Sequence, residues 1–494
     1  MDTMGRTIAK NAGVMMLSQL VTWVLALLLT LFLPRYLGPE GVGKFSLASS
    51  IWAVMSILLS FGMDVLQTKE ISRNHERSSE LLTTTLLLRG GFYGLCLIAV
   101  NVFARVVDYP QETINVINII GIATLVWQIS GAFGANLQAY ERMEYMSLAD
   151  ILAKTFLTII SIVALLLGAS VYIIAWIHMF AGLIAISVQI YGLRKITVIK
   201  PVIKKELFGW ILKSSLPYML VSGFLVAYNQ IDVIIISLLV DETQIGWYAA
   251  SNRLFTTFFF IPTVLIAAVF PVFSRLYKTD MVALKNLLSR SFNIILLTGI
   301  PIGLGLSTIA NPLVKMLFGP DFANAGPILS VMGIVMIATY MNTLMGRFLI
   351  SIDRQVVWTW IMLAAVVVKI PLDLVLVPLC QSYFGIGAMG GAFSYLITES
   401  TMMVAGVLFL PKGLLDKRTA VFAAKALLSG LIMAAAAWLV RGYFIAIPIA
   451  LGGIVYVAAI FIFKVLSQDE ISLLKDIFSK VILRIKKVRS QPAV

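Results

Sequence analysis

Apolar runs of twenty or more residues follow one another along almost the whole 494-residue chain, each ended by a short cluster of charged residues, Gly or Pro. A helix rising 1.5 Å per residue needs roughly 20 apolar residues to cross a bilayer core. Fourteen windows satisfy this: 12–33, 42–63, 81–103, 114–137, 148–168, 171–192, 209–239, 244–272, 288–309, 325–350, 355–379, 386–410, 419–440 and 443–466. The pattern predicts an all-α polytopic membrane protein. Fourteen spans of about 22 residues use about 310 positions, so the remainder is connections and ends, and no separate soluble domain fits. The first window is too long for a signal-peptide core and no small-residue cleavage site follows it, so it reads as a retained span.

Composition agrees: 60% of residues are apolar and 13% charged, with a mean hydropathy of +0.96. Those values exclude a soluble globular enzyme and a disordered chain. Two cysteines exclude a disulfide-stapled fold. Cys96 and Cys380 read as small buried hydrophobes, and His75 and His178 lie too far apart for a metal site of the usual spacing. No metal and no cofactor is expected.

The net charge of +14 is a topology signal. With a cytoplasmic N-terminus, 30 of the 38 Lys and Arg fall in loops or at span ends on the inner side, 5 on the outer side and 3 within spans. This asymmetry places both termini in the cytoplasm and fits an even number of crossings. No aromatic-interleaved basic face accompanies it, so nucleic acid is not an expected partner. The segment 467–494 differs: Ser467 and Glu470 match a capping box, and Ile471, Leu474, Phe478, Ile482 and Ile485 recur at helical spacing among Lys and Arg. It reads as a basic amphipathic helix lying on the anionic inner leaflet, or as a solvated basic tail.

The two halves echo each other at an offset of 203, which sets Lys10 on Lys213 and Val42-Gly43-Lys44-Phe45 on Ile245-Gly246-Trp247-Tyr248. At an offset of 212, Glu141-Arg142 falls on Asp353-Arg354. Six spans per copy make the copies parallel, with a shared site between them near the midplane. The expected organisation is a six-helix lobe over 1–206, a second over 207–412, two extra helices over 413–466 and the basic tail.

The segments PRYLGPEGVGKFSLA, FGMDVLQTKEISR, LKSSLPYMLVSGFLVAYNQID, IGWYAASNRL and NPLVKMLFGPDFANAGPIL, sampling residues 34–329, resemble an oligosaccharide (O-antigen type) flippase of the multidrug/oligosaccharidyl-lipid/polysaccharide exporter superfamily. They are loop and helix-end patterns rather than an active-site signature. The resemblance implies a two-lobed transporter with a central cavity, to which helices 1, 2, 7 and 8 contribute. It implies movement of an isoprenoid-pyrophosphate-linked oligosaccharide from the inner to the outer leaflet by alternating access, in the cell membrane. Glycan polymerases or glycosyltransferases are the partners such a process implies. Relatives in the superfamily export drugs against sodium or protons.

Charge inside a span is costly, and each instance is a candidate site. Arg253 lies about 10 residues into the eighth span, roughly 15 Å deep, and Asp232 lies at comparable depth across the same hairpin. Either they neutralise each other, or Arg253 offers its planar fork to a pyrophosphate while Asp232 masks and releases it. Arg89, about 8 residues into the third span, is expected to snorkel toward the cytoplasmic surface, with substrate contact as the sharper reading. Lys369 and Asp373, four apart on one face of the eleventh span, form an internal pair or a proton- or sodium-sensitive site. Glu399 has no sequence-local partner and is either protonated in place or an ion ligand. Tyr228, Asn229 and Gln230 meet sugar hydroxyls or neighbouring backbone.

The candidate substrate residues are therefore Arg253, Arg89, Lys369, Asn229, Gln230 and Tyr228; the candidate ion-coupling residues, for H⁺ or Na⁺, are Asp232, Asp373 and Glu399. The leading expectation is a lipid-linked oligosaccharide flippase. The alternative is a cation-coupled multidrug or small-molecule exporter. A membrane glycan polymerase would need a sizeable outer loop with catalytic groups, and the outer loops here are short, so no enzyme is expected.

Overall fold

A computed structural model describes residues 3–411, 413–414 and 417–466; for 3–12, 14, 17 and 221 the backbone alone is described. The amphipathic helix expected over 467–494 lies outside the described residues. Within them the regular structure is helical: α1 (Thr3–Ser60), α2 (Met63–Arg73), α3 (Ser78–Val106), α4 (Gln111–Ala139), α5 (Met143–Leu166), α6 (Val171–Arg194), α7 (Lys205–Ser237), α8 (Glu242–Thr257), α9 (Phe260–Thr279), α10 (Met281–Phe318), α11 (Ala325–Ser351), α12 (Gln355–Phe384), α13 (Ala388–Leu408), α14 (Lys417–Leu439) and α15 (Ala446–Ile462). Eleven stretches are long and apolar enough to cross a bilayer, or twelve with the bent α7. Because α1 holds two of the expected spans and the 17-residue α15 the last, every predicted window meets a helix.

The first two spans are separated by one residue rather than by a loop. Gly38 adopts φ 73°, ψ 169° and breaks α1. Only glycine takes that φ readily, and Pro39 forces the extended ψ before it and opens the next helix. The two limbs run antiparallel: residues 18 and 25 of the first meet 147 and 158 of α5 in the same order, residues 44 and 52 of the second meet 112 and 117 of α4, and a three-residue turn makes α4 and α5 antiparallel neighbours. The second span then continues past Phe61 and Gly62, both at positive φ, as α2.

Two other spans depart from straight rods. α7 bends by 55° between Leu220 and Ser222. Ser222 Oγ donates back to the Tyr218 carbonyl (2.9 Å) and Gly223 follows, a pairing that bends helices. The eighth span is divided at Phe258-Phe259 into α8 and α9.

Contacts at both ends of the molecule join the first six spans to the later ones. Opposite the basic loops, Thr113 Oγ1 donates to Glu242 (2.9 Å) and Tyr109 meets Ser237 (2.6 Å). At the basic end, Glu80 accepts from Lys204 (2.5 Å) and Arg77 (3.1 Å), and Arg77 lies 4.8 Å over the Trp210 ring. Met63, Leu66 and Ile71 of α2 share an apolar cluster with Ile211 of α7.

Candidate transport cavity and buried charge network

The same helical spacing recurs on three neighbouring helices. Tyr228 and Asp232 on α7, Lys369 and Asp373 on α12, and Tyr395 and Glu399 on α13 are each four residues apart, so each pair shares a face. The three faces converge. Lys369 Nζ lies 2.8 Å from Asp232 Oδ2 and between two rings, 4.4 Å from Tyr228 and 4.3 Å from Tyr395. Tyr248 OH donates to the same Asp232 oxygen (2.8 Å). Tyr228 OH donates to Glu399 Oε1 (2.5 Å), and Asn342 Nδ2 donates to Glu399 Oε2 (2.7 Å).

All three carboxylates and the ammonium are buried. A cation stripped of water is held by an opposite charge and by ring faces, which is what a low-dielectric site requires. Asp373 is the exception. Asp232, Lys369 and Ser394 are its polar neighbours, yet among the described residues none meets its oxygens in hydrogen-bond geometry.

Three expectations are corrected here. Asp232 does not neutralise Arg253: its partner is Lys369, because α12 rather than α8 presents a cation to that face of α7. Lys369 in turn reaches across to α7 and does not bridge to Asp373 along its own helix. Arg89 does not snorkel. It is fully buried, with Nη2 2.6 Å from Asp64 Oδ1 and Nη1 donating to the Gln128 carbonyl, because α2 and α4 pack those acceptors against it.

Above the network lies a hollow of ≈470 Å³ between α1 and the α7–α8 hairpin. Tyr228, Asn229, Gln230, Asp232 and Lys369 line it, with Asn252 of α8 and Ala53 and Ser56 of α1. Ser50 Oγ crosses from α1 to donate to Gln230 Oε1 (2.9 Å). A second hollow of ≈470 Å³ lies between the first limb of α1 and α8–α9, lined by Trp23, Leu27, Thr30 and Arg253. The two share Thr256 and Phe259. Among the described residues no carboxylate pairs with Arg253. Five of the six candidate substrate residues thus border these adjoining hollows, Asp373 and Glu399 lie behind them, and Arg89 stands apart.

Tyr248, Tyr395 and Asn342 complete the network and were not among the sequence candidates. Asn342 carried a signal, as an amide in the middle of an apolar span. Tyr248 and Tyr395 carried none, because an aromatic hydroxyl in a span is as commonly an anchor as a ligand.

Residues 8–277 match the model of a family described as Polysaccharide biosynthesis protein. The chain belongs to this family. It is 20% identical over 424 residues to a protein named Putative O-antigen transporter of Escherichia coli (strain K12), covering 83% of this chain and 98% of that one. It is 22% identical over 386 residues to the Probable low-salt glycan biosynthesis flippase Agl15 of Haloferax volcanii, covering 74% and 76%. The fold is similar to that of the Lipid II flippase MurJ in an inward closed conformation (TM-score 0.65, 16% identity, 92% of this chain and 98% of that one). It is equally similar to an inward-facing multidrug resistance MATE family transporter of the MOP superfamily (TM-score 0.65, 14% identity, 78% and 92%). At these identities the likeness is one of fold. Family and relatives place this polysaccharide biosynthesis protein among multi-pass membrane transporters of the polysaccharide type rather than among enzymes.

Proposed function

We propose that this chain moves an isoprenoid-pyrophosphate-linked oligosaccharide from the inner to the outer leaflet of the cell membrane by alternating access. The observation that carries the reading is the polar hollow between α1 and α7–α8, in a chain that is 60% apolar. Asn229, Gln230 and Tyr228 offer hydrogen bonds to sugar hydroxyls there, and Arg253 in the adjoining hollow offers two parallel donors to a pyrophosphate. An apolar groove of ≈550 Å³ between α10, α11, α13 and α14, lined by residues such as Phe292, Ile337, Val404 and Leu427, suits the polyprenyl tail.

In this proposal 1–206 and 207–412 are the moving lobes, 413–466 flanks the second, and the basic loops and both termini face the cytoplasm. Lys369 is a second cation for the pyrophosphate, freed when Asp232 takes another partner. Asp232, Asp373 and Glu399 bind the coupling H⁺ or Na⁺, and Arg89 acts indirectly by fixing Asp64. Glycosyltransferases supply the cargo and a glycan polymerase consumes it.

The buried carboxylates of Asp232, Asp373 and Glu399 equally support a cation-coupled exporter of small molecules, the second reading. Purified protein in proteoliposomes separates the two. With a fluorescent lipid-linked oligosaccharide in one leaflet, the flippase reading predicts protein-dependent transfer to the other. Absence of transfer, together with cation-driven uptake of small organic cations, selects the exporter.

A further inference from the structure

A third hollow, ≈570 Å³, lies at the basic-loop end of the first six spans, walled by α2, α4, α5 and α6 and apart from the network at Asp232, Lys369 and Glu399. Its size is that of a small-molecule site. Asp64 faces it with one oxygen to spare. Oδ1 is taken by Arg89, whereas among the described residues no donor meets Oδ2; Oδ2 and Arg89 Nη1 both stand 3.5 Å from where a β-carbon on Gly131 would lie. The Asp64 side chain is 36% exposed and its Arg89 partner 0%, so the acceptor looks into the hollow while its counter-ion is sealed behind it.

The opposite wall offers donors. Ser130 Oγ donates to Gln189 Oε1 (2.8 Å), which leaves the Gln189 amide nitrogen as a donor; it lies 3.6 Å from a β-carbon position on Gly134. Gly131 and Gly134 leave open the floor between acceptor and donor. Asp150 and Gln138 add a second carboxylate and a second amide, and Trp127 supplies a flat apolar face. Lys154 sits one turn from Asp150 and 5.9 Å over the Trp127 ring, so each carboxylate has its own cation close by, while Lys69, which also lines the hollow, turns its ammonium to Tyr218 OH on α7 (3.4 Å).

Charges balanced in this way select neither a free anion nor a free cation. What they fit is a neutral ring with hydroxyls on its rim and C–H groups on its face. Carboxylates and amides divide the hydroxyls between acceptors and donors, and the indole covers the face. We propose that this hollow binds a pyranose residue of the oligosaccharide cargo, a saccharide subsite separate from the cavity at Asn229, Asp232 and Lys369. The inference rests on the flippase reading and adds to it a determinant of which glycans enter.

The test uses the full chain in nanodiscs and two lipids: polyprenyl pyrophosphate, and the same lipid carrying one N-acetylglucosamine. Affinities are measured for the wild type, for Gly131→Leu, which fills the floor, and for the double substitution Gln138→Ala/Asp150→Asn, at two exposed positions. The wild type should bind the glycosylated lipid about tenfold more tightly than the bare one. Both variants should lose most of that ratio while holding polyprenyl pyrophosphate within about twofold of the wild type. An unchanged ratio in the variants, or equal wild-type affinity for the two lipids, overturns the subsite and leaves the flippase reading standing. Binding of neither lipid by the wild type removes both.

Discussion

Gly43 on α1 and Gly246 on α8 face each other reciprocally at the end of the molecule opposite the basic loops. A β-carbon on Gly43 would fall inside the Glu242 carbonyl oxygen, and one on Gly246 inside the Pro39 carbonyl oxygen. The offset of 203 that carries Gly43 onto Gly246 also carries Pro39 onto Glu242. Each glycine therefore abuts the partner of the other, as in a two-fold contact formed within one chain.

This seam has no room for a side chain, and the obstacle is backbone. Gly43→Ala and Gly246→Ala should each open that end, and by similar amounts because the contacts are equivalent. A cysteine placed at Ser50, beyond the seam, reports the change. Its labelling rate by a membrane-impermeant maleimide from that side should rise at least about threefold in either variant. Unchanged labelling would show that the helices part there without effort.

Lys369 is the cation held directly against Asp232. Lys369→Met leaves that carboxylate buried and unpaired, a loss of about 3 kcal/mol. Thermal unfolding in detergent should show a lower midpoint, and adding Asp232→Asn should restore most of it. Additive losses in the double variant would mean that the two residues do not depend on each other.

Arg89 should matter less to stability than Lys369, although both are fully enclosed. Both partners border a hollow, but the Asp64 side chain is 36% exposed and is readily hydrated when Arg89 is lost, whereas that of Asp232 is only 6% exposed. Arg89→Met is thus expected to lower the unfolding midpoint by less than Lys369→Met. The reverse order would place Asp64 in a drier setting than its exposure indicates.

Arg253 lines its hollow without a carboxylate partner among the described residues. Arg253→Ala should reduce transfer of lipid-linked oligosaccharide about tenfold, and Arg253→Lys only a few fold, since lysine keeps the charge and loses the planar fork. Equal losses in the two variants would show that the charge lysine keeps contributes nothing, and full transfer by Arg253→Lys would point to charge alone.

The spans were legible because a bilayer core sets their length and admits few charges, so α3 to α6 and α10 to α13 lie close to their predicted windows. Three irregularities were less visible: the one-residue break at Gly38, the α7 bend at Ser222-Gly223 and the division of the eighth span at Phe258-Phe259. Which residues carry the site was also largely legible, since Asp232, Lys369, Asp373 and Glu399 stand out against apolar neighbours. Who pairs with whom was not. Sequence proximity favoured Asp232 with Arg253 and Lys369 with Asp373, but pairing follows helix packing, and α7 meets α12. Arg89 shows the same limit: its depth suggested a surface, and the packing of α2 and α4 gave it Asp64 and the Gln128 carbonyl.

The central claim is that cargo passes through the space between α1 and the α7–α8 hairpin, which requires the seam end to open. Thr113 and Glu242 meet across that seam. With cysteines at both positions, a short bis-maleimide bridges it, while Cys96 and Cys380 are buried. In proteoliposomes carrying fluorescent lipid-linked oligosaccharide, bridging should abolish transfer, and either single cysteine treated in the same way should leave it intact. Transfer that continues at the unbridged rate would contradict the account.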